Sequence, residues 1–197
     1  MDVRSARVMT WSATGIVLLV DALYIAVIRS QGSEPPDAYT PPFVAAYLFV
    51  IACLLALSQV QRLGRTSRAG MRAAAAGGLC VLGIISLFSM GLPLVIAGAL
   101  AAGATVRTLA PPRWNAPALI GVAAAFLSVA VLIGGFEVTE RLIVCPELGT
   151  MTGSGAGFVT GGYHYECVNG VLSFHQGSCN GATTAVDSSG HVSYSGC

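Results

Sequence analysis

Residues 73–106 read AAAAGGLCVLGIISLFSMGLPLVIAGALAAGATV, an apolar run without a single charged side chain. As one helix it would be about 50 Å long at about 1.5 Å per residue, far more than the roughly 30 Å of hydrocarbon a span must cross. The run is interrupted midway by Ser89-Met90-Gly91-Leu92-Pro93. Proline withdraws a helical hydrogen bond and glycine admits a tight reversal, so the stretch is read as two short helices with a hairpin between them. That reading sets the parity of the whole chain.

Working outward, three further apolar runs at 8–28, 43–60 and 116–135 each suit one crossing, giving five transmembrane helices over residues 1–135. Arginines in short loops stay on the cytoplasmic side. With the amino terminus inside, Arg4, Arg7, Arg62, Arg65, Arg68, Arg72, Arg107 and Arg113 all obey, and Arg29 and Arg141 are the exceptions. Reading 73–106 as one tilted helix would instead carry Arg107 and Arg113 outside and a four-cysteine tail into a reducing compartment. The expected localisation is the plasma membrane, amino terminus cytoplasmic and carboxy terminus extracytoplasmic. The first span is too long for a signal peptide and lacks a small-residue cleavage site, so it is read as retained. The loop at 30–42, with Glu34-Pro35-Pro36-Asp37 and Pro41-Pro42, reads as an extended, polyproline-like arch.

Composition supports this class. Of 197 residues, 54% are hydrophobic and 10% charged, with mean hydropathy +0.73, which excludes an ordinary soluble enzyme. The net charge is +1, carried by arginine without any lysine, so there is no basic field to hold nucleic acid. Arginine without lysine, beside abundant Ala and Gly, is the imprint of GC-rich codons and points to a high-GC bacterium.

Asp21 is the ionisable side chain well inside a span. Thr14 lies seven residues before it and Tyr24 one turn after, on the same helix face as Arg7. A carboxyl costs about 2.5–3.5 kcal/mol at a helix centre and less nearer the interface, so Asp21 needs a partner. On the second span Tyr47, Ser58 and Gln61 also fall near one face, and the plain reading is that Asp21, protonated or hydrogen-bonded to a Tyr or Ser hydroxyl, fastens helices together. The sharper readings are a subunit contact or a proton or cation site. The small-sided helices at 73–103 permit close packing, within the chain or against other membrane subunits. Cys53 and Cys80 lack a CxxC partner and read as packing residues.

From residue 136 to 197 the composition turns to Gly, Ser and Thr, and Cys145, Cys167, Cys179 and Cys197 all fall there. So small a module needs staples, and two disulfides supply them. Tyr163–Val168 and Val171–Gln176 alternate around Asn169-Gly170, the mark of a two-residue β-hairpin. Its register sets His164 opposite His175, with Glu166 one step along, and puts Tyr165, Cys167, Leu172 and Phe174 on the core face. His164, His175 and Glu166, with His191, form a weak metal-ligand set, to be weighed against a plain polar face. Residues 150–162 read as an irregular Gly/Ser loop. A second hairpin, with Val186 facing His191, brings Cys179 near Cys197 and leaves Cys145 to Cys167; a shifted register would pair Cys145 with Cys197 and Cys167 with Cys179.

No nucleophile–base arrangement is nominated by spacing, and no cofactor is called for. The expected function is therefore a non-enzymatic accessory or assembly subunit of a larger respiratory or cell-envelope membrane complex, its partners the lipid bilayer and other membrane proteins. The alternatives are a small transporter or channel component using Asp21, and an extracytoplasmic metal or redox sensor.

Overall fold

The computed structural model describes residues 3–31, 39–108, 116–177, 183–186 and 192–195. Five helices are long and apolar enough to cross a membrane: α1 Val3–Gln31, α2 Thr40–Leu57, α3 Arg65–Ile85, α4 Leu92–Thr108 and α5 Ala116–Thr139. After them come strands β1 Thr150–Gly157, β2 Gly161–Val168, β3 Val171–Gln176, β4 Thr183–Val186 and β5 Val192–Ser195. The chain is a polytopic membrane protein with a small disulfide-stapled β-module, and it divides into two compact units: Met1–Ser33 with Pro41–Gly135, and Glu34–Thr40 with Phe136–Cys197.

In the helical unit the long apolar run does divide, the break beginning at Ser86 and running through Gly91, so that it takes in Ser89, Met90 and Gly91 of the expected interruption. The Ser86 hydroxyl donates to Leu82 O at 2.7 Å, and Ser86 O accepts the N–H groups of Ser89 and Gly91, each at 2.9 Å. The chain thus widens into one π-helical turn, Leu87–Gly91, before α4 starts at Leu92. Pro93 falls in the first turn of α4, directly after the π turn. α4 returns antiparallel along α3 at very short range: a Cβ at Gly83 would stand 2.8 Å from Val95 N, and one at Gly98 2.7 Å from Cys80 Sγ. Such an approach needs residues without side chains at the crossing.

α1 packs on the other side of α4 through Ala6, Thr10, Ala13, Thr14, Val17, Val20 and Asp21, a buried stripe advancing in steps of three and four. α4 answers with Leu94, Ala97, Ala101, Ala104 and Thr105, all buried. α5 runs parallel to α3, with Gly77 3.0 Å from the Ala125 Cβ and Gly121 3.5 Å from that of Ala73, measured from an ideal Cβ on each glycine. α2 is joined to α5 where the Tyr47 hydroxyl lies 2.8 Å from Ser128 Oγ. Leu48, Ile51, Leu55, Leu79 and Leu132 form the fully buried centre, while Phe88, Phe126 and Leu127 are exposed, as lipid-facing side chains should be.

Two boundaries correct the sequence reading. Pro41 and Pro42 belong to the first turn of α2 rather than to an extended arch, because first-turn N–H groups have no acceptor to lose; residues 32–38 of that loop lie outside the described residues. Arg65, Arg68 and Arg72 lie within α3 rather than in a loop before it.

In the second unit, β1–β2–β3 form an antiparallel sheet in that order. Asn169 at φ 48° and Gly170 at φ 82° make the two-residue turn, and the register is as the alternation requires: Val168 faces Val171, Tyr165 faces Phe174 and His164 faces His175. The segment read as an irregular loop is instead β1. Its glycines sit under aromatic rings, Gly153 opposite Tyr165 and Gly155 opposite Tyr163, where any Cβ would collide with the phenol. An absent side chain is here a packing requirement, because the rings cover the bare backbone. Asn169 fixes the start of the strand, its N–H donating to Gly149 O at 2.9 Å while its Oδ1 accepts Gly149 N at 3.2 Å.

The second hairpin is also one residue out of the expected phase. Val186 faces Val192 rather than His191. Cys179 and Cys197 themselves lie outside the described residues.

Candidate functional site

The intramembrane polar row of α1 holds together only in part. Thr14 and Asp21 share the buried stripe, at 4% and 6% exposure, whereas Tyr24 is half-buried and Arg7 points outward. Thr14 donates back to Thr10 O and Thr10 to Ala6 O, both at 2.9 Å, so neither hydroxyl proton is left for the carboxylate. Asp21 Oδ1 is buried and has no hydrogen-bond partner among the described residues. The Tyr and Ser hydroxyls on the polar face of the second span are engaged elsewhere: Tyr47 with Ser128, and Ser58 with Leu55 O at 2.7 Å. Gln61 lies exposed beyond the end of α2. An α1–α4 pairing that sets Ser5 against Arg107 and Met9 against Gly103 runs up the helices toward Gly91 at the level of Asp21, so the carboxyl belongs to the end of the bundle that bears the π turn.

The small residues of 73–103 are largely taken up inside the chain. Ala75, Ala76, Ala97 and Ala101 are buried, Gly77 meets α5, Gly98 meets α3 and Gly103 meets Met9 of α1. Cys80 lies against Gly98 and is half-buried; Cys53 is exposed on α2, and both are free thiols.

In the β-module Cys145 and Cys167 form a disulfide. Cys167 is fully buried, and with Tyr163 and Tyr165 it makes a core against which Ile143, Cys145 and Met151 pack. Tyr163 also stacks on Phe174 with ring centroids 5.2 Å apart. The opposite face carries His164, Glu166 and His175, of which His175 is exposed and the other two half-buried. His164 and His175 are direct cross-strand partners, and Glu166 faces Ser173 one step along the same face, as the register required. Among the described residues no group of three His, Cys, Asp or Glu side chains comes close enough to hold a metal ion, and His191 lies outside them.

Two arrangements were not read from the sequence. Glu137, near the end of α5, accepts from the Thr160 hydroxyl and, at 3.3 Å, from Val159 N, and it pairs with Arg141 at 3.3 Å, so one carboxylate organises the β1–β2 loop. The signal was an acid and a base spaced i, i+4 at a helix end. Arg72, 5% exposed, donates from Nε to Ser58 Oγ at 3.2 Å. Its signal was the Arg68/Arg72 spacing, obscured by assigning both to a loop. The chain matches no family model, no characterised protein and no solved structure, so it is identified by its architecture alone: a polytopic membrane protein carrying a disulfide-stapled β-module.

Proposed function

We propose that this chain is a non-enzymatic accessory or assembly subunit of a larger membrane complex in a bacterial plasma membrane, respiratory or cell-envelope. In this reading the amino terminus is cytoplasmic and the β-module projects outside, where its cysteines can oxidise. The observation that carries it is β3: an edge strand of its sheet, exposed along its whole length among the described residues and bearing Val171, Leu172 and Phe174. An open edge with apolar side chains is a surface for another chain. The bundle supports the same reading, since Thr10, Thr14, Ser58, Ser86 and Thr105 all bond back to their own helices and so serve packing. Extraction of the tagged chain in mild detergent should recover a stoichiometric membrane partner, lost on Phe174→Asp. Recovery of the chain alone from native membranes would count against the reading.

A second reading rests on Asp21, whose buried and unpartnered oxygen is what a proton or cation site in a small transporter or channel component would present. Proton or cation flux into liposomes that is abolished by Asp21→Asn would favour it.

A further inference from the structure

We propose that the corner between α2 and α3 binds a phosphate-type oxyanion, supplied either by a phospholipid headgroup or by free phosphate. Arg72 is nine-tenths buried, and its Nε donates to Ser58 Oγ, whose own proton goes to Leu55 O. Ser58 therefore offers the guanidinium one neutral lone pair and no charge. Arg68 stands one turn earlier on the same helix face, and its Nε is buried without a hydrogen-bond partner among the described residues. The side-chain nitrogen of Gln59, adjacent to Ser58, is likewise buried and unpartnered. Neither arginine meets a carboxylate among the described residues.

The backbone adds to this excess of donors. α3 begins after Gly64 with no side-chain cap and no acid in its first turn, so the positive end of its dipole is uncompensated. The carbonyls at the end of α2 do not balance the charge, because those of Leu54, Ala56 and Leu57 already accept the N–H groups of Ser58, Gln59 and Val60. Two arginines one turn apart, an amide next to Ser58 in the chain and a bare helix start thus lie in one short stretch, residues 58–72, without an anionic acceptor among the described residues. A buried guanidinium is stable only when paired, and a phosphate supplies a full negative charge with several oxygens matched to the guanidinium fork. The place suits a headgroup: Arg68 and Arg72 lie in the first two turns of a span, from which long arginine stems reach the interface.

The test uses the full chain in nonionic detergent, read by native mass spectrometry and thermal melting with added phosphatidylglycerol, diacylglycerol or inorganic phosphate. Wild type should retain phosphatidylglycerol, or be stabilised by phosphate, about tenfold more tightly than it retains diacylglycerol, and Arg68→Gln and Arg72→Gln should each lose about tenfold. Arg62→Gln, the same charge change at an exposed loop position, should stay within about twofold. Binding of the lipid alone identifies the headgroup as the source, and stabilisation by phosphate alone identifies the free anion. If Arg72→Gln does not fold, Arg68→Gln on its partly exposed side chain carries the test. A loss in Arg62→Gln equal to that in Arg68→Gln, or no preference for either phosphate probe, overturns the proposal.

Discussion

Asp21 shows how far a single residue can be read. Its depth and face follow from helix periodicity, and burial on the α1 stripe agrees with them. Its missing partner does not follow, because whether Tyr47 or Ser58 can reach it depends on which helix α2 packs against. Since Oδ1 makes no hydrogen bond among the described residues, Asp21→Leu removes a desolvated polar group and no bond. The isolated variant should melt in detergent at the wild-type temperature or a few degrees above it, while any partner held through the carboxyl is lost. A melting temperature lowered by several degrees would show that Asp21 fastens the bundle after all.

At the scale of elements, β1 and the Cys145–Cys167 bridge make a matched pair of lessons. The bridge was reached by elimination, from a second-hairpin register that proves one residue out; what the first hairpin did fix was the alternation that turns Cys167 inward. β1 was not legible, since glycine signals a loop unless the aromatic residues that will cover it are placed opposite, and that is a property of the paired strand. Its faint mark was a period of two, Met151, Gly153, Gly155 and Gly157 on the face of the tyrosines. Gly155→Val should therefore displace the Tyr163 ring and destabilise the module by roughly 1–3 kcal/mol, seen as an earlier loss of near-ultraviolet tyrosine dichroism on heating. Non-reducing peptide mapping should join Cys145 to Cys167, and reduction should weaken the module by roughly 2–4 kcal/mol. A peptide linking Cys167 to Cys179 would refute that pairing.

For the whole molecule, the number of spans and the direction of the chain meet in one expectation: cysteines added singly at the amino terminus react only from the cytoplasmic side, and those added to the β1–β2 loop only from outside. Labelling of the loop in intact cells with an impermeant maleimide checks it, and a loop that reacts only after lysis would reverse the orientation. The apolar runs, the interruption in residues 73–106 and the Asn169-Gly170 turn determined the five helices and the register of the first hairpin, because hydrophobicity, period and turn chemistry act over a few neighbouring residues. Only the tertiary structure decided that the chain widens at Ser86, that Gly153 and Gly155 lie beneath tyrosines, that Glu137 gathers the β1–β2 loop and that Arg72 reaches Ser58. Each of these joins residues whose meeting depends on packing or on a competing hydrogen bond, and a local pattern carries no record of which partner will win.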